Sequence, residues 1–351
     1  MGKLAVFKFA YFLSIIFTLF ILGLSIFAYF AGKINPAENM FAAYIALGKP
    51  VLVIINAVLL VYWLIRFRYW LWLPLVALAV NYEYITSMYQ LYTPTKFAYD
   101  SKLKVVTYNV HSFGGEITGF SAKEFAGILK KGDVDVACFQ EYGGNGDFTD
   151  KDLYDTYSKL FPYSFFSRGQ AIYSRYPIKQ SQVIEFPNTN NGASWVDIDV
   201  KGRTIRVINV HMQTTSIDRM RSKMAKAKVQ RDELREEEIY SQFLDNILGN
   251  MIERGKQAKE ISALVNATEH PVILCGDFND TPGTFTYETL KHDLKDGFIT
   301  SGVGYAGTYR GFHNLMRIDY LFHSASLEGI KYEVKPFDMS DHNPVFLEVG
   351  L

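Results

Sequence analysis

Cysteine is nearly missing: 351 residues carry two, Cys138 and Cys275. That excludes the dense disulfide framework on which small secreted domains depend. Each cysteine lies inside an apolar run just before a polar cluster, where a free thiol behaves as a small hydrophobe. A bridge between them needs neighbouring strands in suitable geometry. Internal repeats and low-complexity tracts are also absent. Charge is scarce at one end. Residues 1–95 hold six basic side chains (Lys3, Lys8, Lys33, Lys49, Arg66, Arg68) and two acids (Glu38, Glu83). Subtracting these from the 36 basic and 36 acidic residues of the chain leaves 30 and 34 in 96–351, a formal charge of −4. The neutral total conceals a mildly acidic second part. It lacks the basic excess that phosphate contacts usually impose on nucleic-acid binders.

What the first part does have is apolar length. Residues 9–31 form an uncharged run of 23 residues, enough to cross a bilayer. A cleaved signal peptide has a shorter core and small residues at its cleavage site, which Ala28-Tyr29-Phe30 does not supply. A second span fits 43–65, interrupted by Gly48-Lys49-Pro50, and a third fits 69–91, which contains Asn81 and Glu83. Trp63, Trp70, Trp72, Tyr89 and Tyr92 fall near the span ends, as interfacial aromatics do. Lys3 and Lys8 precede the first span, and Arg66 and Arg68 separate the second from the third, so the amino terminus reads as cytoplasmic. Three crossings then put the rest of the chain on the non-cytoplasmic side of an integral membrane protein. Lys49 and Glu83 break apolar segments at similar depth and are expected to pair. The division is therefore 1–95 as membrane anchor, 96–101 as linker and 102–351 as a catalytic domain.

In that second part, short apolar runs stop abruptly at polar residues. They are Lys104-Val105-Val106-Thr107-Tyr108-Asn109, Val134 to Glu141, Arg206-Val207-Ile208-Asn209-Val210-His211, Val272 to Asp280, and the Ser340-Asp341-His342-Asn343-Pro344-Val345 segment. Runs of this length read as buried strands with their polar residues at one end, where ligands collect in layered α/β sheets. Further strands are expected at 170–175, 193–200, 203–210, 318–323, 330–335 and 344–349, with a hairpin at Lys201-Gly202. Helices are expected at 121–130, opened by a Ser121/Glu124 capping box, and over much of 217–265. Strands and helices alternate, so an α/β layered domain follows. Five strand ends delivering Asn, Glu, His and Asp to one surface suit a hard divalent cation and acid–base chemistry on phosphate.

The ordered series TYN, QE, NVH, GDFN, RIDYLF and SDHNP resembles the endonuclease/exonuclease/phosphatase superfamily across about 102–350. The resemblance implies a four-layer sandwich of two mixed β-sheets flanked by helices, here preceded by about three transmembrane helices. It implies Asn109, Glu141 and Asp341 as ligands of Mg²⁺ or Mn²⁺. It further implies His342 as general base oriented by Asp319, and His211 and Asn279 as donors to the scissile phosphate. Asp277 would orient the nucleophilic water or assist the leaving group. A histidine is suited to accept that proton because it titrates near neutrality. Asp277 and Asn279 would share one side of their strand by alternation. His111, two residues after Asn109, has no assigned role, and Arg317 reads either as a phosphate contact or as a surface ion pair.

Residues 217–266 are longer than this position requires, and Arg219, Arg221, Lys223, Lys226, Lys228 and Arg231 form a basic run within them. Such a run is either a solvated helix face or an attractor of anionic headgroups or polynucleotide. The expected activity is hydrolysis of a phosphodiester, a lipid headgroup or small phosphorylated molecule, by in-line water attack beside the membrane lipid bilayer. The alternatives are a nuclease acting on DNA or RNA and a catalytically inactive ligand-binding scaffold.

Overall fold

The computed structural model describes residues 3–91, 99, 101–187, 189–215, 217–230 and 233–351. Most of the expected linker, 96–98 and 100, lies outside them. The strands are β1 (Tyr89–Gln90), β2 (Lys102–Asn109), β3 (Val136–Gln140), β4 (Tyr163–Ser167), β5 (Gln170–Ser174), β6 (Ile178–Glu185), β7 (Gly192–Val200), β8 (Arg203–His211), β9 (Val272–Asp277), β10 (Leu294–Asp296), β11 (Gly304–Tyr305), β12 (Asp319–Ser324), β13 (Glu328–Val334) and β14 (Val345–Gly350). Two six-stranded sheets face each other, in the orders β10-β12-β9-β8-β7-β6 and β13-β14-β2-β3-β5-β4.

Alternation explains why the strands are apolar throughout. In β2, Leu103 and Val105 point into the core between the sheets, while Val106 and Tyr108 point outward beneath helices. In β9, Ile273 and Cys275 face inward and Val272 and Leu274 outward. Both faces are covered, so these strands read as continuous hydrophobic runs. Among the described residues only the pairs β2–β3 and β8–β9 are parallel. Parallel neighbours need long crossovers, and these are helix Phe120–Gly132 and the helical pair Ile217–Gln230 and Glu233–Asn266. The expected hairpin joins β7 and β8 through Lys201 and Gly202, both at positive φ. The Ser121/Glu124 capping box does not form: Gly119 opens that helix at φ 75, and Ser121 is buried in its first turn. A capping box occurs instead at Thr149 and Asp152, ahead of helix Asp150–Tyr157.

The N-terminal part contains α1 (Lys3–Ala31), α2 (Met40–Leu47), α3 (Lys49–Ile65), α4 (Trp72–Val80) and α5 (Tyr82–Met88). Three uninterrupted spans are not found. Among the described residues only α1, about 43 Å long at 1.5 Å per residue, is long and apolar enough to cross a membrane by itself. The second expected span is α2 and α3 bent by 55° at Gly48, where the Pro50 ring cannot continue the preceding turn. The third breaks at Asn81, leaving an apolar helix over Tyr69–Val80 of about 18 Å. Asn81 Nδ2 bonds the Ser25 and Ala77 carbonyls, and Asn56 Nδ2 bonds Ser25 Oγ. These polar groups join helices whose outer faces expose Phe7, Phe12, Ile16, Ile54, Val58 and Val61.

Lys49 does not pair with Glu83. The break at Gly48 turns Lys49 onto the sandwich, where its ammonium donates to the Gly283 carbonyl at 3.0 Å. Contacts continue along that junction. Ala43 packs with Ile247 and Met251 of the long helix, Arg317 Nη1 donates to Ser87 O, and β1 pairs with β11.

Candidate functional site

The polar residues that end β2, β3, β8, β9 and β12 converge on one rim of the sandwich. Beneath them the sheets are joined by buried amides: Gln140 Nε2 donates to Thr107 Oγ1 and Asn209 Oδ1, and Asn209 Nδ2 donates to Phe139 O. This floor fixes the height of the strand ends relative to one another, a role not evident from the QE and NVH motifs alone.

Above it, Asn109 Nδ2 donates to Glu141 Oε1 at 3.1 Å and to Asp277 Oδ2 at 3.0 Å. His211 Nε2 lies 3.7 Å from Glu141 and 3.8 Å from Asp277. His342 Nδ1 lies 2.9 and 3.1 Å from the two Asp319 oxygens. A carboxylate only accepts, so Nδ1 carries the hydrogen and Nε2 is turned toward Asp277, at 3.8 Å. Asp341 joins the group through His111, whose Nδ1 sits 3.1 Å from Glu141 and 3.7 Å from Asp341. His111 is therefore part of the cluster. Asn279 stands apart from the expected alternation: β9 ends at Asp277, Gly276 has φ 135, and Asn279 turns to φ 52. Its side chain donates to Met212 O and its amide to Asp277 Oδ1. Arg317 touches no part of this cluster; it is fully buried in a two-pronged pair with Asp296.

Several of these residues hold unusual backbone. His111, Ser112, Phe113, Glu141 and Asn279 are non-glycine residues with φ between 45° and 55°. Such conformations cost energy and persist where surrounding contacts enforce them, commonly at functional sites. Gly276 is required for space, since a Cβ there would collide with the Val210 carbonyl.

Electrostatics separates the groups. Burial lifts the Asp277 carboxyl to about 7, against the pull of His342. Burial would also lower His342, but Asp319 and then Asp277 raise it to about 10. His211 is pushed down to about 4 by burial. Glu141 ends at about 2: its burial is outweighed by His111, His211 and Asn109.

The donor set fits a hard cation. Glu141 and Asp277 flank His211 Nε2, which is buried without a hydrogen-bond partner, and Asp341 approaches Glu141 across His111. Asn109 offers its nitrogen to the carboxylates, and its Oδ1 accepts from the His111 backbone amide at 3.1 Å. Asp277, Asp319 and His342 also offer ligand atoms within 4.8 Å of one another. Asp319 is already engaged with His342 Nδ1.

Residues 106–342 match the family model described as Endonuclease/Exonuclease/phosphatase family. Residues 7–88 match a second model described only as a domain of unknown function. Among curated proteins, none matches. The fold is similar to that of an endonuclease/exonuclease/phosphatase from Beutenbergia cavernae, with 18% identity, coverage of 71% of this chain and 72% of that one, and a TM-score of 0.51. It is similar to truncated TDP2 from Caenorhabditis elegans, with 17% identity, coverage of 71% and 98%, and a TM-score of 0.50. A family protein from Leptotrichia buccalis gives 18% identity, coverage of 71% and 100%, and a TM-score of 0.51.

Proposed function

Because the chain belongs to the endonuclease/exonuclease/phosphatase family and is a phosphoester hydrolase, we propose that it cleaves a phosphodiester at a bilayer surface with the aid of Mg²⁺ or Mn²⁺. His342 accepts the proton of the attacking water at Nε2, while Asp319 holds Nδ1 and stabilises the imidazolium. Asp277, 3.8 Å from that Nε2, orients the water. His211 and Asn279 donate to the phosphate oxygens as charge builds, and Asn109 keeps Glu141 and Asp277 in register. A divalent cation bound among Glu141, Asn109 and Asp341 would polarise the phosphate and cancel part of the charge that raises His342.

The observation that supports a lipid headgroup is the contact between Gly32, just after α1, and Gly283. Gly283 is six residues beyond Asp277, so the site lies within roughly 20 Å of the end of the apolar helix. The mildly acidic domain argues in the same direction, against polynucleotide. Arg68 lies over the Tyr11 ring, near the start of α1 and away from its Gly32 end against the sandwich, which supports a non-cytoplasmic domain. A screen of the full chain with Mg²⁺ against sphingomyelin and related phospholipids, DNA, RNA and inositol phosphates tests the reading. Turnover of a phospholipid, lost with EDTA, is the expected result; turnover confined to DNA or RNA would overturn it.

A further inference from the structure

The match to a domain of unknown function leaves residues 7–88 without a task beyond anchoring. We propose that these helices also brace the catalytic loop, with Lys49 as its positioning residue. The loop runs from Phe278 to Thr284, directly after Asp277, and contains Asn279 in a left-handed conformation. It therefore needs external support on both sides.

One side is held within the sandwich domain. Arg254 of the long helix is buried, with Nε 3.2 Å from Asp280 Oδ2 and Nη1 donating to Gln213 O and Thr215 Oγ1. Thr215 Oγ1 in turn donates to Asn279 O. Arg254 thus ties the chain leaving His211 to the chain leaving Asp277. The other side is held by the N-terminal helices. Lys49 is 4% exposed, and its hydrogen bond goes to the Gly283 carbonyl. Burying an ammonium that has one carbonyl as its hydrogen-bond acceptor, with the Tyr84 ring centroid 5.8 Å away and Glu288 and Glu83 only partly offsetting its charge, is unfavourable compared with an apolar side chain of the same length. Its presence is accounted for by what it grips. Gly283 has φ +77, and a Cβ there would lie 2.5 Å from the Lys49 nitrogen. A Cβ on Gly32 would collide with the same Gly283 carbonyl. Two backbones and one ammonium thus meet at a single peptide of the loop.

The consequence is that turnover depends on the assembled helices. Lys49 touches neither substrate nor reacting atoms; it fixes where Asp277 and Asn279 stand. The test uses the full chain in lipid nanodiscs, bis(p-nitrophenyl) phosphate with Mg²⁺, and hydrogen exchange of the loop amides. In Lys49→Met, which keeps the stem and removes the donor, kcat should fall by about tenfold to a hundredfold with KM within about twofold. Amides of 279–284 should exchange faster. Lys49→Gln retains an N–H donor and should recover part of the rate. Lys33→Met, at the same end of α1 but off the loop, should match wild type. A Lys49→Met enzyme with wild-type kcat, a loss carried by KM alone, or unchanged exchange at 279–284 overturns the brace. If Lys49→Met does not assemble, exchange and kcat of Lys49→Gln are compared with wild type in its place, by the same criteria. The brace rests on the phosphodiesterase reading only for its rates. A wild-type chain inert to the diester would defeat that reading, while loop exchange would still decide the brace.

Discussion

His342 and Asp277 sit 3.8 Å apart under nearly complete burial, and each is displaced from its ordinary protonation range by its surroundings and by the other. Their side chains contribute little to the apolar cores, which lie beneath the rim. His342→Ala or Asp277→Ala should therefore lower diester hydrolysis by about 10²–10⁴-fold. His342→Ala also strips buried Asp319 of its partner and should lower the thermal midpoint, whereas Asp277→Ala removes a carboxyl whose burial opposes ionisation and should not. With Glu141 proposed as a cation ligand, the loss in Glu141→Ala should be partly recovered as Mn²⁺ or Mg²⁺ is raised; a metal-insensitive loss would remove Glu141 from the ligand set. Arg317 calls for the opposite experiment. Its guanidinium is wholly buried against Asp296 and not bonded to the site cluster. Arg317→Met leaves Asp296 uncompensated and should destabilise the domain by about 3–5 kcal/mol, read as a fall in thermal midpoint. The double replacement with Asp296→Asn should recover part of that loss.

At the scale of elements, the strand ends were readable because the site-bearing strands, β3 and β9 above all, are buried on both faces. A run such as Val272–Cys275 has no reason to be polar until it emerges, so its first polar residue marks the rim. Alternation failed at Asn279 because Gly276 and the turn after Asp277 end the pleat two residues early. Arg254 could not be singled out, since helix Glu233–Asn266 carries many charges and only packing decides which one turns inward. The interrupted spans were visible as Gly48-Lys49-Pro50 and Asn81, but whether an interruption bends a helix or ends it depends on its tertiary neighbours. Helix Ile217–Gln230 keeps Lys223 and Lys226 exposed. Lys223→Glu with Lys226→Glu should reduce hydrolysis on anionic vesicles, more so at low ionic strength, where the Debye length is longest. Vesicle kinetics independent of both charge and salt would leave those lysines as a solvated face.

For the molecule as a whole, the two native cysteines are fully buried between the sheets. A cysteine placed at exposed Lys201, in the β7–β8 turn, gives a single accessible thiol whose labelling reports the side of the membrane. Impermeant reagents should reach it only from the face opposite to the amino terminus, and labelling from the cytoplasmic face alone would reverse the topology.

The bond from Lys49 to Gly283 spans 234 residues of chain. At synthesis rates of about 5–20 residues per second, the helices emerge roughly 10–50 s before their partner peptide exists. During that interval the ammonium has no partner in the loop, and Gly32 faces no carbonyl. The contact can close only once the chain has been made through β9 and has folded back onto the first helices, with β10 to β14 still to come. The grip on the loop is thus acquired late in biogenesis, long after the helices that supply it.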